Sequence, residues 1–527
     1  MKFRILILTL FSYWFCSSVQ AQAPATDSLH LIEILPGARK LEFRKVDSSD
    51  IQILAGNVRL KQGNTLFYCD SCVINSNAKT FQAYGHVHIN DNDTTDIYSN
   101  YLRYLTNKRL AYLKGNVKLT DGHGTLTTPE LEYDVNTKIG TYTKGGKVVS
   151  RKSVLTSQEG IYYGDLRDVY FKKNVELKDP AYYLKTDSLL YNTETQIARF
   201  VTDTYIRDSS KRVIRTKEGS YDIQGGHSEF TKRTTIQDKA LKVIGDQIAN
   251  DDVSGIAQVR GNGVIIDTSQ GVSILANEIF VNKNTNAILA TKKPLMIIRQ
   301  DKDSIYVTAD TLFSARLTDL YKQTNTTETK AKNNKADTDS TNRYFEAFRH
   351  VKVFTDSVQT VSDSLFYSFK DSTFRLFQNP VVWSHGSQIV GDTIFLYTKN
   401  KKADRIKVFE NSFMVSEVEP KVYNQIKATR MDGYFKEGVI DSVRAKGSAE
   451  SIYFIRNEDS TYSGVNQSQS DAMDIYFLKG DLYKIVLRSD VKGTYAPVRK
   501  DSPGKMRLPD FKWLESRRPK TKYELFE

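Results

Sequence analysis

Apolar and polar residues alternate in short runs along most of the chain. Examples are NVRLKQ (57–62), YFKKNVELKD (170–179), DRIKVFE (404–410) and KIVLRSD (484–490), with Gly, Asn and Asp between such runs. A period of two in segments rich in Val, Ile, Tyr and Phe predicts β-strands with one buried face. Because no long stretch has a convincing helical period, the pattern predicts an all-β protein.

A four-residue pattern recurs through the chain: a small residue, often Asp or Asn next, then any residue, then an apolar one. Neighbouring copies lie 29 or 30 residues apart as far as residue 245. After it the step is 29 between Ser362 and Gly391 and 31 to 53 elsewhere. A unit of this size cannot bury its apolar face alone, so stacked units are expected to share one core. The copies begin at Cys69, Ser99, Thr128, Ser157, Thr186, Thr216, Gly245, Ala276, Ala309, Ser362, Gly391, Ala428 and Ser470.

A second mark keeps the same step: a pair of residues suited to a turn, followed by Val. Gly and Asn tolerate positive φ, which a turn into the next strand often requires. The small-Asp step is expected to be a corner, since a small residue admits a close strand and Asp can accept hydrogen bonds from nearby amides. The pairs are Gly56-Asn57, Gly85-His86, Gly115-Asn116, Gly146-Lys147 and Lys173-Asn174.

Residues 1–21 are predicted to be a secretory signal peptide. Lys2 and Arg4 precede an apolar stretch, and a small-x-small pattern ends at Ala21. The formal charge of +13 becomes 13 − 2 = +11 without those two cations. An exported basic protein suits an anionic lipid or polysaccharide partner rather than nucleic acid, with solubility alone as the other explanation of the charge.

The remaining regions differ in composition. Residues 321–343 are polar and charged, and are predicted to be a flexible linker between repeat arrays at 36–320 and 344–497. The tail, 498–527, breaks the repeat and is predicted to be a cap. Its apolar residues are expected to dock on the end of the stack and shield an open edge; they are Phe511, Trp513 and Leu514.

The residues of the two repeated patterns resemble the OstA-like family, which includes the lipopolysaccharide-transport protein LptA and the periplasmic part of LptD. The family pattern is G-N-V, then Q-G, then a strand ending in A-D-x-apolar. Here it corresponds to Gly56-Asn57-Val58, Gln62-Gly63 and Cys69-Asp70-Ser71-Cys72. Weaker copies extend the likeness through most of the chain, which also resembles the long OstA-like proteins of Bacteroidetes-type bacteria.

The resemblance implies an elongated, stacked antiparallel β-jellyroll with an apolar interior, shaped as a slightly open trough. It further implies a periplasmic bridge at the cell envelope that shelters the lipid A acyl chains of lipopolysaccharide and passes them toward the outer membrane. The implied partners are LptC-like and LptD-like components joined end to end, or further copies of the same chain. No enzyme activity and no cofactor are implied.

The interior of this trough is where lipid contacts are expected. By period two, the apolar fourth residues of the repeat and the valines of the second mark should face inward. These candidate lipid-binding residues are Val58, Cys72, Val87, Leu102, Val117, Leu131, Val175, Leu189, Ile248, Ile279, Leu312, Leu365 and Ile394.

Other chemistry is less well supported by the sequence. His86 and His88 lie two apart on one strand face, but no third ligand stands nearby, so no metal site is expected. The repeated carboxylates suit structural corners, and no nucleophile-elbow, P-loop or zinc-protease motif is present. Two alternatives stay open: a non-catalytic scaffold or adhesin with a fully packed interior, and a carbohydrate-processing solenoid, which would need a clustered pair of carboxylates.

Cys69 and Cys72 form a C-x-x-C motif. In an extended strand their side chains would point to opposite faces, with Cα atoms roughly 10 Å apart, beyond the reach of a disulfide. They are therefore expected to be ordinary members of the repeat. A sharp bend at Asp70 would bring them together, so a disulfide or ligand pair is the alternative.

Overall fold

The computed structural model describes residues 31–299, 304–324, 342–400, 402–457, 461–478, 481–498 and 506–526. The chain forms two compact units, residues 1–170 and 171–527. The predicted signal peptide and residues 325–341 of the predicted linker lie outside the described residues. Those boundaries therefore stay predictions.

The first unit is built of antiparallel strands, as the alternating pattern predicts. Its strands are β1 (Glu33–Ile34), β2 (Lys40–Val46), β3 (Ser49–Gln62), β4 (Thr65–Asn75), β5 (Thr80–Asp91), β6 (Thr95–Leu105), β7 (Leu110–Thr120), β8 (Thr125–Asp134), β9 (Ile139–Tyr142), β10 (Gly146–Ser150), β11 (Ser153–Ser157) and β12 (Glu159–Tyr163). Strand β13 (Asp168–Lys178) spans the boundary in sequence between the two units.

The second unit continues the same construction. One helix, α1 (Leu317–Thr324), and two short 3₁₀ helices, Glu515–Arg517 and Lys522–Phe526, accompany its strands. The strands are β14 (Tyr182–Asn192), β15 (Ile197–Phe200), β16 (Thr204–Asp208), β17 (Val213–Thr216), β18 (Gly219–Asp222), β19 (His227–Phe230), β20 (Thr234–Asp238), β21 (Leu241–Gly245), β22 (Gln247–Asp251), β23 (Ile256–Asp267), β24 (Val272–Asn282), β25 (Ala287–Thr291), β26 (Leu295–Arg299), β27 (Ser304–Thr308), β28 (Thr311–Arg316), β29 (Arg343–Phe354), β30 (Val358–Ser368), β31 (Thr373–Phe377), β32 (Val381–Ser384), β33 (Ser387–Val390), β34 (Thr393–Lys399), β35 (Lys402–Glu419), β36 (Val422–Lys436), β37 (Val439–Arg456), β38 (Tyr462–Leu478), β39 (Asp481–Arg488) and β40 (Lys492–Ala496).

Two ladders of strands run side by side and share the long strands, so that each long strand contributes one half to each of two walls. The amino-terminal half of β14 pairs with β16, and its carboxyl-terminal half pairs with β15. The ladders meet again in β23, whose halves pair with β21 and β22. The walls pack face to face, as shown by the Tyr182 and Tyr221 rings from opposite walls, whose centroids are 5.0 Å apart. The all-β, jellyroll-like architecture is confirmed.

The repeated corner is a β-bulge. In the pairing of β3 with β4, Ala55 faces Ser71 and Val58 faces Cys69, so Gly56 and Asn57 together oppose the single residue Asp70. Both bulge residues have positive φ. The same two-residue signature recurs at 85–86, 115–116, 173–174, 261–262, 349–350, 410–411 and 447–448. At the Gly146-Lys147 pair the positive φ falls on Gly145 instead.

The Asp of the corner holds the side chain of a following bulge. His86 Nδ1 lies 2.8 Å from Asp70 Oδ2, and His350 Nδ1 lies 3.0 Å from Asp310 Oδ2. Where the bulge carries Asn, its amide donates to the carboxylate, as Asn262 does to Asp246 at 2.7 Å. In these corners the Asp carboxylate thus bonds the side chain of a bulge residue, whereas the prediction was a bond to backbone amides.

The prediction that Cys69 and Cys72 point to opposite faces is wrong. Both side chains are buried, with 6% and 0% of their surface exposed, and both face the interior. The bulge shifts the alternation at Asp70, because Tyr68 pairs with His88 while Ser71 pairs with Tyr84. The two cysteines are free thiols in the structure. A hydrogen bond from the Cys72 thiol lowers the pKa of Cys69, whereas that bond and burial raise the pKa of Cys72.

The strand ladder continues on both sides of the 321–343 segment within the second unit. Strand β29, which begins at the last residue of the segment, pairs with both β27 and β28, which precede the segment. The two predicted arrays therefore share one hydrogen-bonded ladder here.

Residues 506–526 pack across the outer face of the β30–β38 wall rather than on its end. Buried glutamines hold the backbone of this strap: Gln388 bonds both Lys512 O and Leu514 N, and Gln425 bonds Met506 O and Leu508 N. Phe511 and Trp513 pack on the cluster around Tyr423.

Candidate functional site

All thirteen predicted lipid-contact residues lie in the interior and are buried, each with at most 2% of its surface exposed. The fourth residues of the repeat form continuous facing rows. In the second unit, one row runs Ile248–Val259–Ile279–Ala290–Leu312–Ala347–Leu365–Leu376–Ile394 across successive strands. Contact of these residues with lipid stays a prediction.

The interior of the first unit is closed by its own side chains. Phe67 in one wall lies 5.2 Å from Phe81 and 4.8 Å from Tyr104 in the other, ring centroid to ring centroid. The polar ends of such rings are satisfied: Tyr104 Oη donates to Gln62 at 2.6 Å, and Tyr133 Oη donates to Asp91 at 2.9 Å. Burial raises the pKa of both tyrosines above the ordinary value. These side chains fill the space between the two walls where they meet.

A cleft opens between the walls of the second unit, with a volume of about 490 Å³. One wall contributes the facing row Val281–Ile288–Ser314, and the other contributes Ile265–Ile274–Met296. Several lining residues are only half-buried, unlike the equivalent positions of the first unit. The apolar side chains that line the cleft are Leu241, Ile265, Val272, Ile274, Val281, Ile288, Met296 and Phe369.

The mouth of the cleft is polar and carries cations. It lies where strands end, at the β20–β21, β23–β24 and β24–β25 turns, and includes Lys239, Arg316 and Arg343 along with Asp238 and Asp267. An apolar interior with cations at its mouth suits an amphiphile that has apolar chains and an anionic head.

Arg343 is held at this mouth. Its Nη2 donates to the carbonyl of Asn286 at 3.2 Å and to Ser314 Oγ at 3.1 Å. Burial, more than the neighbouring Arg316, lowers its pKa, and Asp267 opposes that shift. The guanidinium stays charged near neutral pH and has further donors for an anion.

None of the thirteen predicted residues lines the cleft. Val281 and Ser314, which line the cleft, lie two residues beyond Ile279 and Leu312. The predicted residues are therefore on the same inward face of their strands as the cleft residues. The distance between the walls cannot be predicted from the pattern along one strand, because it depends on all the side chains that meet across the two walls. Arg316 lies just before the polar segment 321–343 and Arg343 is its last residue, and these two cations are the sequence feature that indicates a mouth there.

The two histidines of the first unit have structural partners. His86 bonds Asp70, while His88 bonds Asp96 at 2.8 Å and stacks between Tyr68 and Tyr98. Among the described residues, no group of three or more His, Cys, Asp or Glu side chains is placed to hold a metal ion.

Comparison with known proteins gives one family match: residues 32–187 match the family described as OstA-like protein. The match covers the first third of the chain, and that range is similar to OstA-like proteins. The OstA-like region contains the first bulges and the Cys69-Asp70-Ser71-Cys72 corner, so the resemblance drawn from those residues is confirmed. No curated protein matches the chain.

Among solved structures, the chain is similar to LptH from Pseudomonas aeruginosa. LptH is the LptA homologous periplasmic component of the conserved lipopolysaccharide transport device of that bacterium. The two chains share 13% identity over 31% of this chain and 80% of LptH, with a TM-score of 0.14. A TM-score this low gives no basis for transferring geometry. Within the described residues, no helix is long and apolar enough to cross a membrane.

Proposed function

We propose that this protein is a periplasmic, non-catalytic bridge for lipopolysaccharide transport that shelters lipid A acyl chains and passes them toward the outer membrane. The observation that carries the proposal is the cleft of the second unit, where an apolar interior meets a mouth with three cations. The OstA-like family match over residues 32–187 supports the same class of function.

The chemistry of the cleft matches the two ends of lipid A. Each acyl CH₂ that leaves water for the apolar walls contributes roughly 0.8 kcal/mol. The phosphates would remain at the mouth, where Arg316 and Arg343 have guanidinium donors suited to phosphate oxygens.

The thirteen predicted residues are proposed to contact acyl chains only when the two walls move apart. Leu312 and Ile279 lie next to the cleft along the same strands, but protein atoms cover them completely. An acyl chain would reach them only where the two walls separate. Movement of lipid along the interior thus requires the walls to part in turn.

Edge strands would serve end-to-end assembly with LptC-like and LptD-like components or further copies. Strand β2 pairs on one side with β3, and its apolar residues Leu41 and Phe43 are 46% and 70% exposed. In the second unit, β39 and β40 pair with β38 and expose Tyr483 and Tyr495. Exposed edges of this kind accept another strand by backbone hydrogen bonding.

A photocrosslinking experiment in cells tests lipid binding. A photoreactive residue at Ile288, which lines the cleft, is expected to capture lipopolysaccharide. The matched control is Leu289, which lies on the opposite face of the same strand, and Leu312 tests the deeper row. Equal capture at Ile288 and Leu289, or none at Ile288, would reject the proposal.

The second candidate function is a non-catalytic scaffold or adhesin at the cell envelope. The packing of the first unit favours it, since Phe67, Phe81 and Tyr104 fill the space between the two walls where their rings meet. Failure of capture at both Ile288 and Leu312 in a folded, exported protein would favour the scaffold.

A further inference from the structure

A strongly basic surface covers part of the second unit, on the side of the wall that faces away from the interior. It spans β31 and β34–β39, and we call it the basic face. Interior residues such as Val408 and Met431 alternate with its members along each strand, so the two sets lie on opposite sides. Eight cations belong to it: Arg375, Arg405, Lys407, Arg430, Arg444, Lys446, Lys484 and Arg488.

Strand register places these cations in three parallel rows. The central row is Arg375–Phe395–Lys407–Asp432–Arg444–Asp474. The rows beside it are Phe409–Arg430–Lys446–Ala472–Arg488 and Tyr397–Arg405–Tyr434–Ser442–Tyr476–Lys484. Seven strands at about 4.8 Å spacing, and three rows two residues apart at about 3.3 Å per residue, give an area of roughly 29 by 13 Å along the sheet.

The acids within these rows lie beneath the cations. Asp432 and Asp474 have side chains that are 13% and 5% exposed, whereas Arg444 and Arg488, which both bond Asp474, are 50% and 55% exposed. Hydrogen bonds from Arg444, and then Arg488, hold the pKa of Asp474 below its ordinary value. The formal charge of the rows is 8 − 2 = +6. Asp371, which lies outside the rows, bonds Arg375 and is 44% exposed, so the outermost layer is positive over the rest of the face.

Aromatic rings support several of the cations and reach the surface at one side. The guanidinium of Arg405 lies 4.3 Å from the centroid of Tyr397, and that of Arg430 lies 5.2 Å from Phe409. Tyr434 and Tyr476 are 51% and 37% exposed in the same row. The face is therefore positive and edged by tyrosines.

We propose that the basic face docks on the surface of a bilayer that contains anionic lipids. Cations spread over seven strands suit a plane of headgroups, whereas one bound phosphate would need them to converge. Lys and Arg near such a surface each add to binding, and Tyr side chains favour the depth of the headgroups. This contact is independent of the interior cleft, and would hold one part of the second unit against a membrane.

Vesicle sedimentation of the full-length protein tests the proposal. The protein is expected to bind vesicles that contain phosphatidylglycerol and not vesicles of phosphatidylcholine alone, with binding that weakens as salt is added. The triple variant Lys407→Gln, Lys446→Gln and Lys484→Gln should bind about a hundredfold more weakly. These lysines are chosen because their replacement leaves the buried acids paired. Arg430 still bonds Asp432, and Arg444 and Arg488 still bond Asp474.

The matched control changes the net charge equally at three exposed lysines elsewhere: Lys118→Gln, Lys147→Gln and Lys185→Gln. It should bind phosphatidylglycerol vesicles within about threefold of the unmodified protein, and circular dichroism should show that both triple variants are folded. Equal loss in the two variants, or no binding to phosphatidylglycerol, would overturn the proposal. Displacement by inorganic phosphate at the concentration of lipid phosphate would overturn it in favour of a discrete phosphate site.

Discussion

Gly85→Ala is expected to destabilise the first unit by about 2–3 kcal/mol, because two costs add at this bulge. The φ of Gly85 is +72°, a conformation that costs other residues roughly 1–2 kcal/mol. A Cβ at this position would overlap Asp70 Oδ2 and lie 2.9 Å from its Cγ and 3.1 Å from its Cβ. Rotating the Asp70 carboxylate away breaks its bond to His86, an exposed pair worth at most about 1 kcal/mol.

Gly122→Ala separates the two costs. Gly122 also has a positive φ, +84°, but no atom lies within 4 Å of the Cβ it would gain. It should therefore cost only the conformational part, about 1–2 kcal/mol. In an Asp70→Ala background, Gly85→Ala should cost about 1 kcal/mol less than in the unmodified protein, since the overlapping atoms are absent.

Urea unfolding followed by circular dichroism measures these differences, and hydrogen exchange of peptides that cover 65–91 locates them in the first unit. The steric reasoning is refuted if Gly85→Ala and Gly122→Ala cost the same. It is also refuted if removing the Asp70 side chain leaves the cost of Gly85→Ala unchanged.

Three further outcomes are expected. Leu102→Ala should cost about 2–5 kcal/mol in urea unfolding, because the side chain is completely buried, whereas Leu166→Ala, at a 65% exposed site, should change stability by less than about 0.5 kcal/mol. Gln388→Ala should loosen the strap, since it removes both bonds to the strap backbone; a red shift of Trp513 fluorescence in a Trp383→Phe background reports this. Asp252→Asn should destabilise the second unit at pH 7, with a difference from the unmodified protein that shrinks as pH falls below about 4.

The sign of the Asp252 effect follows from its surroundings. Burial acts to raise its pKa, but hydrogen bonds from Arg212, Asn250 and Lys283 outweigh burial and hold the pKa well below the ordinary value. A carboxyl with a lowered folded-state pKa stabilises the protein above its unfolded-state pKa, and this contribution is lost as pH falls through the folded-state value. A pH-independent difference between the two proteins would contradict this assignment.

Local pattern was enough to predict the repeat and the inward face of the thirteen candidate residues. Leu102, Leu189 and Ile279 were placed inward by period two, and all are buried. The prediction for Cys69 and Cys72 failed because a bulge shifts the alternation by one residue, and the residues that make the shift, Gly85 and His86, belong to the neighbouring strand. The alternation of residues along one strand therefore does not reveal a bulge in the strand that pairs with it.

The sequence by itself determined that the chain is a β-repeat protein with an apolar interior and a small-Asp corner, since strand alternation and turn residues act over a few neighbours. Only the tertiary structure decided where the interior is open. The first unit fills its interior with Phe67, Phe81 and Tyr104, whereas the second leaves a cleft lined by Val281 and Ile288. The distance between two walls depends on all the side chains that meet across them, and no single strand carries that information.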